Sequence, residues 1–152
     1  MGAVTQYECE KCGFIIKDHD LNYFIDEETN CVVEHASGML TFDMGRDSEI
    51  KGKIIPSFCP DCSLEVHFYY NENESYVNQI KSAIKHDETE VLDEKYPYRT
   101  ISSTLKDAIG FKCKTHAECP KCGKNIPLII GDECECPKCG GGLHAFITCL
   151  YD

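Results

Sequence analysis

The chain has 152 residues, a mass of 17.2 kDa and 15 Lys+Arg against 26 Asp+Glu, which leaves a formal net charge of −11. Its 42% hydrophobic content suffices for a globular core and excludes a disordered chain. No apolar run reaches the roughly 18 residues of a membrane span. Met1-Gly2-Ala3-Val4-Thr5-Gln6 leads into charge rather than an apolar signal region, and Gln6 stands where a myristoylation signal requires Ser or Thr. A soluble, acidic, cytoplasmic protein is expected.

Taken in chain order, residues 1–72 read as β structure. Phe14-Ile15-Ile16, residues 21–25, Cys31-Val32-Val33 and Lys53-Ile54-Ile55 are short strand candidates separated by Asp, Asn and Gly. Residues 64–70 alternate more clearly, with Leu64, Val66, Phe68 and Tyr70 on one face. Across 75–86, Tyr76, Ile80 and Ile84, with Val77 and Ala83 beside them, recur at helical spacing. Residues 85–100 are charged, contain Pro97 and read as a linker or long surface loop. A short helix is predicted next, with Ile101, Leu105, Ala108 and Ile109 on one side and Gly110 as its stop. Residues 112–152 end in a strand over 143–151. The expected fold class is mainly β with small helices, a small α+β arrangement. A helical and charged linker, 73–111, would join an amino-terminal unit, 1–72, to a carboxy-terminal unit, 112–152.

The cysteines carry the chemistry. Twelve Cys make up about 8% of the chain, a density that signals either disulfides or metal. Eight of them fall into four Cys-x2-Cys pairs: Cys9/Cys12, Cys59/Cys62, Cys119/Cys122 and Cys136/Cys139. Two thiolates at this spacing chelate one ion from a tight turn, and two such turns complete a tetrahedral shell of four sulfurs. Cys119-Pro120-Lys121-Cys122-Gly123 and Cys136-Pro137-Lys138-Cys139-Gly140 are nearly identical. Pro after the first Cys fixes the entry to the turn, and Gly after the second accepts the positive φ that points backbone N–H groups at sulfur. The first pair keeps Gly13 but lacks the Pro. The second keeps Pro60 but has Ser63 in place of the Gly.

With these knuckles the sequence resembles the zinc-ribbon proteins, in which paired Cys-Pro-x-Cys-Gly turns hold structural zinc between short β-hairpins. The amino-terminal Tyr7-Glu8-Cys9 start, combined with a carboxy-terminal double knuckle, is similar to prokaryotic zinc-ribbon proteins of unassigned role. The resemblance covers the knuckles and their hairpins, about half of the chain, and implies two structural zinc ions rather than an activity. Thirteen residues separate Cys122 from Cys136, so Cys119, Cys122, Cys136 and Cys139 are expected to share one ion. Forty-six residues separate Cys12 from Cys59, and Cys9, Cys12, Cys59 and Cys62 are paired because two knuckles would otherwise lack partners. An exchanged pairing across the two halves is topologically more demanding. Iron is the alternative metal, because rubredoxin-like electron-transfer proteins use the same four-thiolate set.

Cys31, Cys113, Cys134 and Cys149 are left over. Cys113, His116, His144 and Cys149 could build a third site; the plainer reading makes Cys31 and Cys149 buried apolar residues in strands and leaves the histidines at the surface. Cys134 could exchange with Cys136 as a ligand, though the Pro-Lys-Cys-Gly context favours Cys136. Lys112 and Lys114 flank Cys113, but no base and cleft are evident, and no catalytic constellation appears. Asp132-Glu133 resembles the acidic hairpin tip of transcription-elongation ribbons but is crowded by Cys134 and Cys136, and Asn73-Glu74-Ser75 reads as a polar turn. The acidic balance disfavours general nucleic-acid binding; a nucleic-acid-associated ribbon of transcription or translation is the alternative, with Lys106, Lys112, Lys114, Lys121 and Lys124 as its only basic strip. It favours a protein partner, for example one of basic character, and an adaptor role.

Overall fold

In the computed structural model, residues 2–38, 41, 43–86, 88–99, 108–111, 115–131 and 134–151 are described. The fold is mainly β, 45% strand, with two short helices, in agreement with the expected class. Among the described residues eleven strands follow one another: β1 (Gly2–Cys9), β2 (Ile15–Asp18), β3 (Leu21–Asp26), β4 (Cys31–Ala36), β5 (Lys51–Cys59), β6 (Leu64–Asn71), β7 (Ala108–Phe111), β8 (His116–Glu118), β9 (Asn125–Pro127), β10 (Cys134–Glu135) and β11 (Gly142–Tyr151). Two helices, α1 (Val77–Ile84) and α2 (Thr89–Lys95), lie between β6 and β7. No helix is long and apolar enough to cross a membrane among the described residues.

The strands form three sheets, ordered β10-β11-β1-β2, β4-β3-β5-β6-β7 and β8-β9. The first sheet zips the two ends of the chain together. β1 runs antiparallel to β11 from Gly2↔Tyr151 to Cys9↔Leu143, and β10 adds on through Cys134↔Leu143. The turn after β1 and the turn between β10 and β11 therefore lie at the same end of this sheet. β5 has a divided role in the second sheet. Its Lys51–Ile54 half pairs with β3, whereas its half towards Cys59 pairs with β6 alone and receives the β8–β9 hairpin. Ser57 Oγ donates to Pro127 O at 2.5 Å, and the Ile129 N–H donates to Pro56 O at 3.4 Å.

Burial follows these pairings. β6 is covered on both faces: Val66 and Phe68 pack with Ile55, Ile126 and Leu128, while Tyr69 packs with Tyr23, Ile54 and Ile80. The predicted helix over 75–86 is present as a 3-10 turn, Glu74–Tyr76, running into α1, which buries Ile80 and Ala83. Asn73 caps this turn, its Oδ1 accepting from the Ser75 N–H at 3.0 Å. Two expectations are corrected. The charged stretch 85–100 contains helix α2, whose only buried side chain, Leu92, sits on Phe24, Cys31 and Val33. One apolar anchor in seven residues leaves no periodicity to read. The helix predicted to end at Gly110 is replaced over Ala108–Phe111 by a strand parallel to β6, because a central strand with an open edge outbids a short amphipathic pattern. Residues 101–107 of that prediction lie outside the described residues.

Asp26 ties α2 to the sheet. It is 5% exposed and accepts hydrogen bonds from Lys95 Nζ at 2.8 Å, Tyr96 OH at 2.6 Å and Thr29 Oγ1 at 2.8 Å. Burial alone would raise its pKa, but these donors outweigh burial and hold it at about 2, below the ordinary 3.8. The ionised form is thus favoured by folding, so its stabilisation is complete above about pH 4 and fades as the pH falls toward 2. Replacing Asp26 by Asn is expected to cost about 2 kcal/mol at pH 7 and to flatten the acid limb of the stability curve, measured by urea unfolding between pH 2 and 7.

Candidate metal centre

The Cys-x2-Cys turns share one backbone design. The Cys9 N–H donates to Phe14 O and the Gly13 N–H to Cys9 O, both at 2.9 Å. The same two bonds recur at Cys119 (to Lys124 O, 2.7 Å; from Gly123, 2.8 Å) and at Cys136 (to Gly141 O, 2.7 Å; from Gly140, 2.9 Å). The glycine after the second Cys is left-handed in all three, with φ of 77° at Gly13, 79° at Gly123 and 77° at Gly140. In the Cys59/Cys62 turn Ser63 occupies that place with φ 49°. An L side chain there costs on the order of 1 kcal/mol.

The structure groups the eight thiols as Cys9, Cys12, Cys136 and Cys139 on one side and Cys59, Cys62, Cys119 and Cys122 on the other. This corrects the expected pairing of neighbouring knuckles: the first knuckle joins the fourth and the second joins the third, a nested arrangement. Cys12 and Cys136 are 124 positions apart, yet the β1–β11 ladder brings them together. Loop closure grows only logarithmically with length, so choosing a distant partner over a near one costs about 2 kcal/mol, which a ladder of eight register pairs readily offsets. β5 carries Cys59 to the β8–β9 hairpin, and Lys124 Nζ pairs with Asp61 Oδ1 across the two turns at 3.2 Å.

All four sulfurs in each group lie within 4.8 Å of one another. The nearest approaches are 3.4 Å for Cys9 to Cys139, 3.6 Å for Cys12 to Cys136 and 3.5 Å for Cys59 to Cys122. A tetrahedron with zinc–sulfur bonds of about 2.3 Å has edges of about 3.8 Å, so the donor set fits such an ion. The first cysteine of each knuckle is buried. Of the second cysteines, Cys12, Cys122 and Cys139 are exposed and Cys62 is half-buried. Each group is therefore sealed by core on its inner side and reaches solvent on the other.

Electrostatics point the same way. The Cys12 N–H, opposed by burial, draws Cys9 down to about 6. At Cys119 burial is overcome by the N–H groups of Cys122 and Lys121, which bring it to about 7. Their neighbours move oppositely. Burial pushes Cys136 up to about 12, and the Cys122 sulfur beside Cys62 does the same there. Each cluster therefore favours one ready thiolate, Cys9 or Cys119, while Cys136 and Cys139 beside the first and Cys59 and Cys62 beside the second are held above the ordinary thiol range. A bound dication reverses that rise, as four-thiolate sites require.

The aromatic and glycine surroundings of the first group were not legible as site features. Lys138 Nζ lies 5.7 Å from the Phe14 ring centroid and 5.3 Å from that of Phe58, and the two rings are 5.5 Å apart. The Gly141 N–H donates to Cys139 Sγ at 3.4 Å, and a Cβ on Gly141 would meet Lys11 Cδ at 3.1 Å and Cys139 Sγ at 3.3 Å. The run Gly140-Gly141-Gly142 does not by itself show which residue faces the sulfurs.

The leftover residues are dispersed. Cys31 is buried in β4, as expected, but Cys149 is exposed on β11, against expectation. Cys134 is buried and donates to Ile130 O at 3.1 Å. His116 Nε2 lies 2.9 Å from Glu135 Oε2, and His144 Nε2 lies 3.3 Å from Glu10 Oε1. Among the described residues the two four-cysteine groups are the only clusters with metal-binding spacing. Lys106, Lys112, Cys113, Lys114, Asp132 and Glu133 lie outside the described residues. Comparison of the chain with protein families, curated proteins and solved structures finds no match.

Two substitutions probe this geometry. Ser63→Gly is expected to raise stability by about 1 kcal/mol, seen as a higher urea midpoint at unchanged slope. Gly141→Val crowds the Cys139 sulfur and is expected to weaken metal retention at the first group about tenfold in a chelator competition, with the second group unaffected.

Proposed function

We propose that the chain is a zinc-stapled protein-interaction module built on two zinc-ribbon-like units. Cys9, Cys12, Cys136 and Cys139 hold one Zn²⁺, and Cys59, Cys62, Cys119 and Cys122 hold the other. The observation that carries this reading is the gathering of all eight knuckle thiols into two closed sets of four. Four protein thiolates fill a tetrahedron and leave no position for water or substrate, which favours a structural role over catalysis. Bound zinc supplies charge neutralisation and cross-linking. The chain's own residues orient the sulfurs through the knuckle N–H groups and exclude water from the inner side through Phe14, Leu143, Ile126 and Leu128.

An adaptor role for a basic protein segment is supported by a cleft of about 620 Å³ between the β3–β4 turn and residues 43–48. Asp26, Glu27, Glu28, Asp43 and Asp47 line it against Arg46 and Lys95. A Lys- or Arg-rich segment would be steered to this surface, whereas a phosphate backbone would be repelled.

The native-purified chain is expected to contain two zinc ions and to be colourless in the visible range. Cys12→Ser and Cys136→Ser should each remove one equivalent, and the Cys12→Ser/Cys136→Ser double variant should lose no more than one. Cys12→Ser/Cys119→Ser should lose both, measured by elemental analysis. Loss of a single equivalent from Cys12→Ser/Cys59→Ser would overturn the nested assignment. Iron with thiolate-to-metal absorption would make rubredoxin-like electron transfer the function instead.

A further inference from the structure

The end of the first sheet remote from Cys9 carries a surface that neither the metal groups nor the acidic cleft uses. β11 spans ten residues and is paired with β1 along one edge. On its other edge β10 pairs only with Gly142 and Leu143, so among the described residues no strand covers that edge from His144 onward. An open strand edge is a template for another strand, and monomeric proteins blunt such edges with Lys, Pro or inward charges. β11 has none of these. Residues 139–151 contain no Asp, Glu, Lys or Arg, the longest such stretch in the chain, and residues 2–7 beside them are equally free of charge.

The apolar side chains concentrate in the same place. Of the six exposed large hydrophobics among the described residues, three lie on β11: Ile147 (62%), Leu150 (64%) and Phe146 (45%). The register sets Ile147 opposite Thr5 and Leu150 opposite Ala3, extending the face that buries Tyr7 and Leu143; a bulge between Val4 and Thr5 absorbs Thr148. Phe146 is opposite Gln6 on the other face.

We infer that this edge is a self-association surface: residues 146–151 of β11 pair antiparallel with the same residues of a second copy, continuing the sheet across a two-fold axis. Charge selects the occupant. With a net charge of −11, two copies repel over most of their surface and can approach closely only where charge is absent. An antiparallel pair of identical strands is isologous, and a strand without ionised groups places no like charges opposite one another. A basic partner gains nothing from an uncharged strand and is drawn to the acidic cleft, so the two surfaces serve different contacts.

Sedimentation equilibrium of the metal-loaded full chain tests this. The expected mass is twice 17.2 kDa, and Ile147→Lys/Leu150→Lys should return it to 17.2 kDa by raising the dissociation constant about 100-fold or more, with metal content and far-UV dichroism unchanged. Val91→Lys, at an exposed apolar residue on α2, should leave the dimer intact. Hydrogen exchange on the unaltered chain gives an independent reading: amides of 146–151 should be protected at high concentration and lose protection on dilution. A wild-type chain that stays at 17.2 kDa at several hundred micromolar overturns the proposal. So does a dimer that survives the double substitution in a folded chain, or protection that ignores concentration.

Discussion

The ladder between β1 and β11 governs which thiols can meet. It brings the first and last hairpins of the chain side by side, with Cys9 opposite Leu143 and Cys134 on the far side of Leu143. Once that register is set, the fourth knuckle faces the first, and the second and third are left for each other. Nesting of this kind needs no crossing of connections. It also means that the outer four-cysteine group fastens both ends of the chain, while the inner group fastens β5 and β6 to the β8–β9 hairpin.

The two groups are mechanically joined. Ile129 packs into the core beneath the outer group, whereas Leu128 and Ile130 pack beneath the inner one, so three consecutive residues touch both. Phe58, one residue before Cys59 of the inner group, packs at a tilt of 53° against Phe14 of the outer group's first knuckle. The two clusters therefore share one apolar support. Clusters this small bury too little surface to stand alone, and bridging four thiols that otherwise resist common ionisation is the natural supplement.

Charge divides the rest of the surface into two kinds. Acidic residues line the cleft around Asp26, where Lys95 and Tyr96 hold one carboxylate firmly ionised, and they keep most of the molecule repulsive to its own copies. Strand β11 is the exception, free of Asp, Glu, Lys and Arg and apolar along its open edge. Among the described residues, that strand offers an apolar stretch on which a second copy would meet no like charge.

Sequence alone determined the four knuckles, because Cys-x2-Cys spacing with a following Gly is dictated by local turn geometry and needs no distant partner to be recognised. It determined β3, β6 and β11 and the α1 region for the same reason, since alternation and helical periodicity are properties of the segment itself. Helix α2 and strand β7 were beyond it: Leu92 is a single anchor that matters only against Phe24 and Val33, and Ala108–Phe111 is a strand because β6 offers a free edge. The pairing of the knuckles was likewise decided by tertiary structure. Chain separation favours neighbours by only a weak logarithmic term, whereas backbone pairing of the two termini is worth far more and is invisible until both strands are laid side by side.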